Sequence, residues 1–275
     1  MKNIRDYIEH IRESKSANEL NNKLVLAIKQ RNIAECKRLI DAGADVNAKV
    51  VTNRSMLTHA LRRNYLDVAK LLVIAGADIE DKDDLNNAAL QYSISSKCDE
   101  EHYDFAKFLI DAGAVVDAGG FDGRTALYRA VSAGCLNTIK LFIDAGASVN
   151  KTDDEHSTPL HWAVHNMDFL NNKIDNIIKI LIDAEANVNI KDKWGKTPLD
   201  HLMMRTFLMP RNNKILESVK LLILAGAEID LKAQFGTFKR FSDFFGGNIK
   251  WVPIDLIPPE WRESTKFTGT FGGFY

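Results

Sequence analysis

The string Ala-Gly-Ala recurs at 42–44, 75–77, 112–114, 145–147 and 225–227, each time behind an apolar helical run. Gly43 and Gly76 are 33 residues apart, as are Gly113 and Gly146. Each occurrence tends to continue through an acidic or small residue and a β-branched one to Asn or an acid, as in Ala44-Asp45-Val46-Asn47 and Ala147-Ser148-Val149-Asn150. A period of this length means stacked units, because one unit of about 33 residues cannot bury its own apolar face.

A second motif precedes each run: Thr158-Pro159-Leu160-His161, Thr197-Pro198-Leu199-Asp200 and the variant Thr125-Ala126-Leu127-Tyr128. Thr followed by Pro suits a helix start, since the hydroxyl caps free amides and Pro tolerates the first turn. Apolar sets such as Ile139, Leu141, Phe142 and Ile143 mark a second helix with one buried face. Gly then ends that helix in the left-handed conformation. Each unit therefore reads as helix, turn, helix, hairpin.

The pattern resembles the ankyrin-repeat family, and Asp122 through Asn150 is nearly the family consensus. Counting by the terminal Gly position gives six units: 21–49, 50–82, 83–119, 120–152, 153–191 and 192–232. The resemblance implies an all-α ankyrin solenoid of paired antiparallel helices joined by β-hairpin loops. It covers 21–232, flanked by an amphipathic capping helix over 1–20 and an aromatic-rich cap and tail over 233–275. The last segment holds eight of fourteen Phe and two of four Trp, and is expected to cover the last repeat as far as Trp261.

The departures from the pattern are specific. From the small residue of the first helix to the terminal Gly, repeats one, two and four span 16 residues, whereas repeats three, five and six span 20, 22 and 24. The additions, around 97–102, 168–173 and 207–212, fall near the turn between paired helices. Insertions on one face of a solenoid often mark its binding face, and neutral loop growth is the other reading. Glu185 stands where the other five repeats have Gly, so it is expected to adopt a left-handed backbone. The junction of repeats five and six is then the expected weak point.

The resemblance implies binding of another protein through the concave groove of the solenoid rather than catalysis. Residues at the hairpin tips and at the end of the first helix would face the partner: Arg54, Arg62 and Arg63, then Phe121, Asp122, Arg124 and Ser132. In repeats five and six they are Asp154, Glu155, His165, Asn166, Lys193, Trp194, Lys196, Met204 and Arg205. Phe121 and Trp194 are the expected anchors, because exposed aromatic and Arg residues are the usual hot-spot types. His161 occupies the family position of a structural histidine that bonds across repeats. This argues against zinc at His156, His161 and His165, and no metal or cofactor is implied.

A net charge of −1 removes the case for nucleic acid or a charged membrane surface. No apolar run approaches the length of a membrane span or a secretion signal, so no membrane insertion is expected. Cys36, Cys98 and Cys135 offer no even disulfide set, and their spacing suggests a reducing, cytoplasmic setting. The unbound chain is expected to be monomeric. The alternatives are a microbial or viral effector acting on a host protein, in the host cytoplasm, and an activity carried by the C-terminal segment.

Overall fold

A computed structural model describes residues 2–49, 54–166, 170, 173–208 and 213–228, with side chains from Ser16 to Met204 and from Glu217 onward within those ranges. The expected C-terminal cap lies outside them, as do Val51, Thr52 and much of the insertions at 168–173 and 207–212. The chain is a row of helix pairs. Repeat one pairs Lys2–Lys29 with Ile33–Asp41, and repeat two pairs Met56–Leu61 with Leu66–Ile74. Repeat four pairs Ala126–Ala133 with Leu136–Asp144, and repeat five Pro159–His165 with Ile174–Asp183. Repeat six pairs Pro198–Leu208 with Asn213–Leu224. The boundary expected at residue 20 falls inside the first helix, which runs unbroken from Lys2 to Lys29.

Every second helix closes in the same way. In repeat one, the Gly43 amide donates to Ile40 O at 2.9 Å and the Ala44 amide to Leu39 O at 3.0 Å. Repeat four does this with Gly146 and Ala147, and repeat five with Glu185 and Ala186. This closure needs one left-handed residue. The glycines sit at φ between 87 and 93°, and Glu185 takes the same role at φ 65°. A Cβ built on Gly43, Gly76, Gly113, Gly146 or Gly226 would meet nothing within 4 Å. Glycine supplies only the backbone angle there.

First helices start on the expected caps: Thr125 Oγ1 accepts from the Tyr128 amide and Thr158 Oγ1 from the His161 amide. Repeat three differs. Ala88 stands at the threonine position and has no oxygen to offer, and Gln91 Oε1 instead turns back to accept the Ala88 amide at 2.9 Å. The first helix there is reduced to a 3-10 segment, Ala89–Ser93, before Glu100–Asp111 forms the second.

One continuous core runs through the stack, from Leu24 and Ile28 through Leu72, Phe105, Phe142 and Leu181 to Leu222. The connecting loops are hairpin-shaped, closed by bonds such as Asp153 N to Ser157 O (2.9 Å) and Asp192 N to Lys196 O (2.9 Å). Among the described residues only Lys49 and Ser55 form a β-bridge. No described helix is long and apolar enough to cross a membrane.

The cysteines depart from the expectation that they form no disulfide set. Cys98 and Cys135 form a disulfide, and only Cys36 is free, buried in the core. The insertion in repeat three carries Cys98 onto the turn of repeat four, a contact across 37 residues that linear spacing does not reveal. With that pair joined, the cysteines no longer argue for a reducing compartment.

Candidate functional site

Three of the described hairpins are built on buried aspartates. Oδ1 of Asp83 accepts the amides of Leu85 and Asn87, that of Asp153 the amides of Glu155 and Ser157, and that of Asp192 the amides of Trp194 and Lys196. All six distances lie between 2.8 and 3.0 Å. The second carboxylate oxygen reaches a helix: Asp83 to the Tyr92 hydroxyl, Asp153 to the Tyr128 hydroxyl at 2.7 Å, and Asp192 to His201 Nε2 at 2.7 Å. Burial alone would raise the Asp83 and Asp192 carboxyls. The donors around each outweigh it and hold both below the usual carboxylate range. Burial, followed by Asp83, pushes the Tyr92 hydroxyl up to about 12.

A second set of side chains sews each repeat to the next. Asn47 Nδ2 donates to Gly76 O at 3.0 Å while its Oδ1 accepts the Asp78 amide at 2.8 Å. Asn150 does the same with Glu185 O and the Asn187 amide, and Asn189 with Gly226 O and the Glu228 amide. At the same position Glu80 and Asp117 accept the Val115 and Ser148 amides, since a carboxylate has no proton to donate.

On this frame the tips form a ridge. The Asp154 amide donates to Asp122 O (3.0 Å), and the Lys193 amide to Glu155 O (3.0 Å). Lys193 also pairs with the Glu155 carboxylate, and its ammonium lies 4.5 Å above the Trp194 ring. Trp194 is 62% exposed and Phe121 48%. Phe121 borders a shallow cleft of about 550 Å³ that continues to Leu85 and Asp154.

Behind the ridge, Arg124 lies 4.6 Å from the Trp162 ring and 5.3 Å from that of Tyr128. Trp162 stacks on His165 at 5.6 Å, and His165 meets His201 edge-on at 6.4 Å. This aromatic band crosses repeats four, five and six. His161 bonds across repeats, its Nε2 to Lys196 O at 3.1 Å and its Nδ1 to Thr158.

The expected contact residues thus divide. Phe121, Asp122, Arg124, Asp154, Glu155, His165, Lys193 and Trp194 come together on the tips and the band behind them. Arg54 and Arg62 converge instead on Asp84, at 2.7 and 2.8 Å, as cross-repeat ion pairs. Arg63, just past the end of the Met56–Leu61 helix, reaches back to the His59 ring at 2.8 Å. Ser132 is half-buried, and Asn166 ends its helix by donating to Trp162 O. Lys196 serves chiefly through its backbone, Met204 is half exposed, and the Arg205 side chain is outside the described residues. The sequence reading missed Leu85, Trp162, His201 and the aspartates. The aspartates had a signal: Asp153 and Asp192 each stand five residues before the capping Thr.

The sequence model of the family described as "Ankyrin repeats" matches three times, over residues 6–83, 24–119 and 93–192. Among solved structures, an ankyrin repeat domain from Acinetobacter baumannii is similar, with a TM-score of 0.65 and 28% identity, over 74% of this chain and 98% of that one. The ankyrin repeat domain of Bcl-3, a member of the IkappaB family, has a TM-score of 0.61 and 25% identity, over 75% and 86% of the two chains. An ankyrin repeat protein of fowlpox virus (strain NVSL) is 30% identical over 139 residues, half of this chain but only 19% of that protein. The matched repeats span most of the described residues, and the chain belongs to the ankyrin-repeat family.

Proposed function

We propose that the chain is a non-catalytic recognition module that holds another protein along the hairpin ridge and the adjoining first helices of repeats three to six. Ankyrin repeats are in general protein–protein interaction modules, and they are typically not enzymes. One observation carries the more specific reading. Phe121 and Trp194 stand exposed on tips whose backbones are fixed by buried aspartates or cross-repeat bonds, so the rings are presented without needing to be ordered on binding. A rigid aromatic loses little entropy when it docks.

Quantitative capture from cell lysate tests this, comparing the full chain with a Phe121→Ala/Trp194→Ala variant. The expected result is a defined set of proteins retained by the first and lost by the second. For an identified partner, Trp194→Ala should weaken binding by about 2 kcal/mol. Equal retention by both proteins would remove the ridge from the interface. A second reading, an effector engaging a host protein through the same ridge, draws on the fowlpox-virus relative. It predicts that the retained set comes from a host lysate and not from that of the source organism.

A further inference from the structure

In each helix pair the turn lies at the end away from the hairpin tips, and there the stack carries a contact that recognition does not explain. Cys98 belongs to the insertion of repeat three and adopts φ 50°, while Cys135 caps the second helix of repeat four. Their Cα atoms are 5.1 Å apart and their sulfurs are bonded. Neighbouring contacts converge on the same edge. His102, at the start of the second helix of repeat three, bonds Asp99 at 2.6 Å and Asn64 of the repeat-two turn at 2.8 Å. From the repeat-five insertion, Lys173 donates to Gly134 O at 3.1 Å. The disulfide is the one covalent link along this edge among the described residues, and it bridges two repeats.

We propose that Cys98–Cys135 is an exchangeable redox clasp that fixes the repeat-three insertion to repeat four when oxidised and frees it when reduced. The two sulfurs are unequal. Cys98 is half-buried, whereas Cys135 is 2% exposed. A small-molecule thiolate therefore attacks Cys98 Sγ, the S–S bond breaks, and its electron pair leaves on Cys135 as a thiolate. Cys135 sits at the N-terminus of a nine-residue helix, whose partial positive charge favours that leaving group. A second small thiolate then attacks the outer sulfur of the mixed disulfide, and Cys98 departs. The net change is one protein disulfide and two small thiols giving a protein dithiol and one small disulfide; oxidation by a small disulfide is the reverse.

The reduced pair keeps acceptors in place. In the bonded form Cys98 Sγ lies 3.6 Å from Ala133 O and Cys135 Sγ 3.3 Å from Ser95 O, so each thiol, once the sulfurs separate on reduction, has a carbonyl of the opposite repeat beside it to accept its proton. Both redox forms are thus compatible with the same stack, and what changes is the freedom of the segment around Cys98. Cys36 is a built-in control: it is fully buried, and burial pushes its thiol up to about 11. The inference holds whichever protein the ridge binds.

The test equilibrates the folded full chain in glutathione buffers of increasing oxidation, alkylates free thiols and maps the peptides. Two thiols should disappear together, with a cross-linked peptide joining Cys98 to Cys135 and Cys36 left free. Reduction should accelerate hydrogen exchange over residues 94–103 by at least about tenfold while circular dichroism stays unchanged. The Cys98→Ser and Cys98→Ser/Cys135→Ser variants should show the fast pattern in both buffers. Three outcomes would overturn the clasp: no cross-link in the oxidising buffer, a cross-link in the folded chain that resists about 10 mM reduced glutathione, or exchange that does not respond to reduction.

Discussion

Repeats four and five are neighbours with the same architecture and different reserves. Repeat four has Gly134 at its turn, Gly146 at its terminal cap and no insertion, and its second helix buries Ile139 and Phe142 completely. Repeat five buries Ile177, Ile178 and Leu181 as fully, yet ends on Glu185 at φ 65° and carries a longer connection between its helices. Both make the same terminal hydrogen bonds at 2.9 Å. Hydrogen bonding is therefore equal, and the difference lies in the backbone cost of forming it. A non-glycine residue in the left-handed region costs about 1–2 kcal/mol. Hydrogen-bond geometry alone is a poor guide to where a solenoid opens first.

The largest expected effect comes from matched cavities. Phe142→Ala should destabilise the protein by about 4 kcal/mol and Leu181→Ala by about 3 kcal/mol, both read from denaturant unfolding. If the two repeats open separately, the Leu181 variant should show a biphasic transition and the Phe142 variant a single one. A Leu181→Ala cost above that of Phe142→Ala would reverse the ranking.

Glu185→Gly should stabilise by about 1 kcal/mol, the relieved strain being partly offset by the greater freedom of Gly in the unfolded chain. Slower hydrogen exchange confined to 173–195 would locate the gain. Destabilisation would instead mean that the Glu185 side chain makes a compensating contact.

The smallest effect separates the repeats by pH. Burial, the largest cause, lowers the His161 pKa below its ordinary 6.5, although the bond to Lys196 O opposes it; nearby His201 lowers it further and Asp192 raises it. A histidine kept neutral in the fold contributes fully above the unfolded value of about 6.5 and loses that contribution as pH falls toward the folded value. Protonation would also put a proton on Nδ1, which accepts the Thr158 amide. Repeat five should therefore lose exchange protection between pH 7 and pH 5.5 and repeat four, which has no histidine, should not. His161→Gln should flatten the slope, and an equal slope in both repeats would assign it elsewhere.

What the sequence disclosed and what it hid divide by distance along the chain. The terminal glycines, the threonine caps and the left-handed Glu185 each express a demand that one residue makes on its own backbone, so they are visible in a window of a few letters. The 3-10 start of repeat three has Ala88 at its N-cap, where repeats two and four have Ser55 and Thr125. The site was harder. Arg54 and Arg62 look available in the sequence, and only folding brings Asp84 against them from 30 and 22 residues away. Trp162, His165 and His201 make a band only because successive first helices lie side by side. Cys98 meets Cys135 because an insertion leans sideways. The cross-repeat contacts among these join residues 22 to 37 positions apart, and a period reveals which units are neighbours without saying which side chains touch.

The aspartates at 83, 153 and 192 grip the amides of Leu85, Glu155 and Trp194 and leave those three side chains alone. An aliphatic, an acidic and an indole group already occupy equivalent places on the same turn. The scaffold is thus indifferent to the letter written there, as a type case is to the type. A randomised library at 85, 155 and 194 should yield folded members at high frequency, and new specificities could be selected from it with no change to the frame beneath.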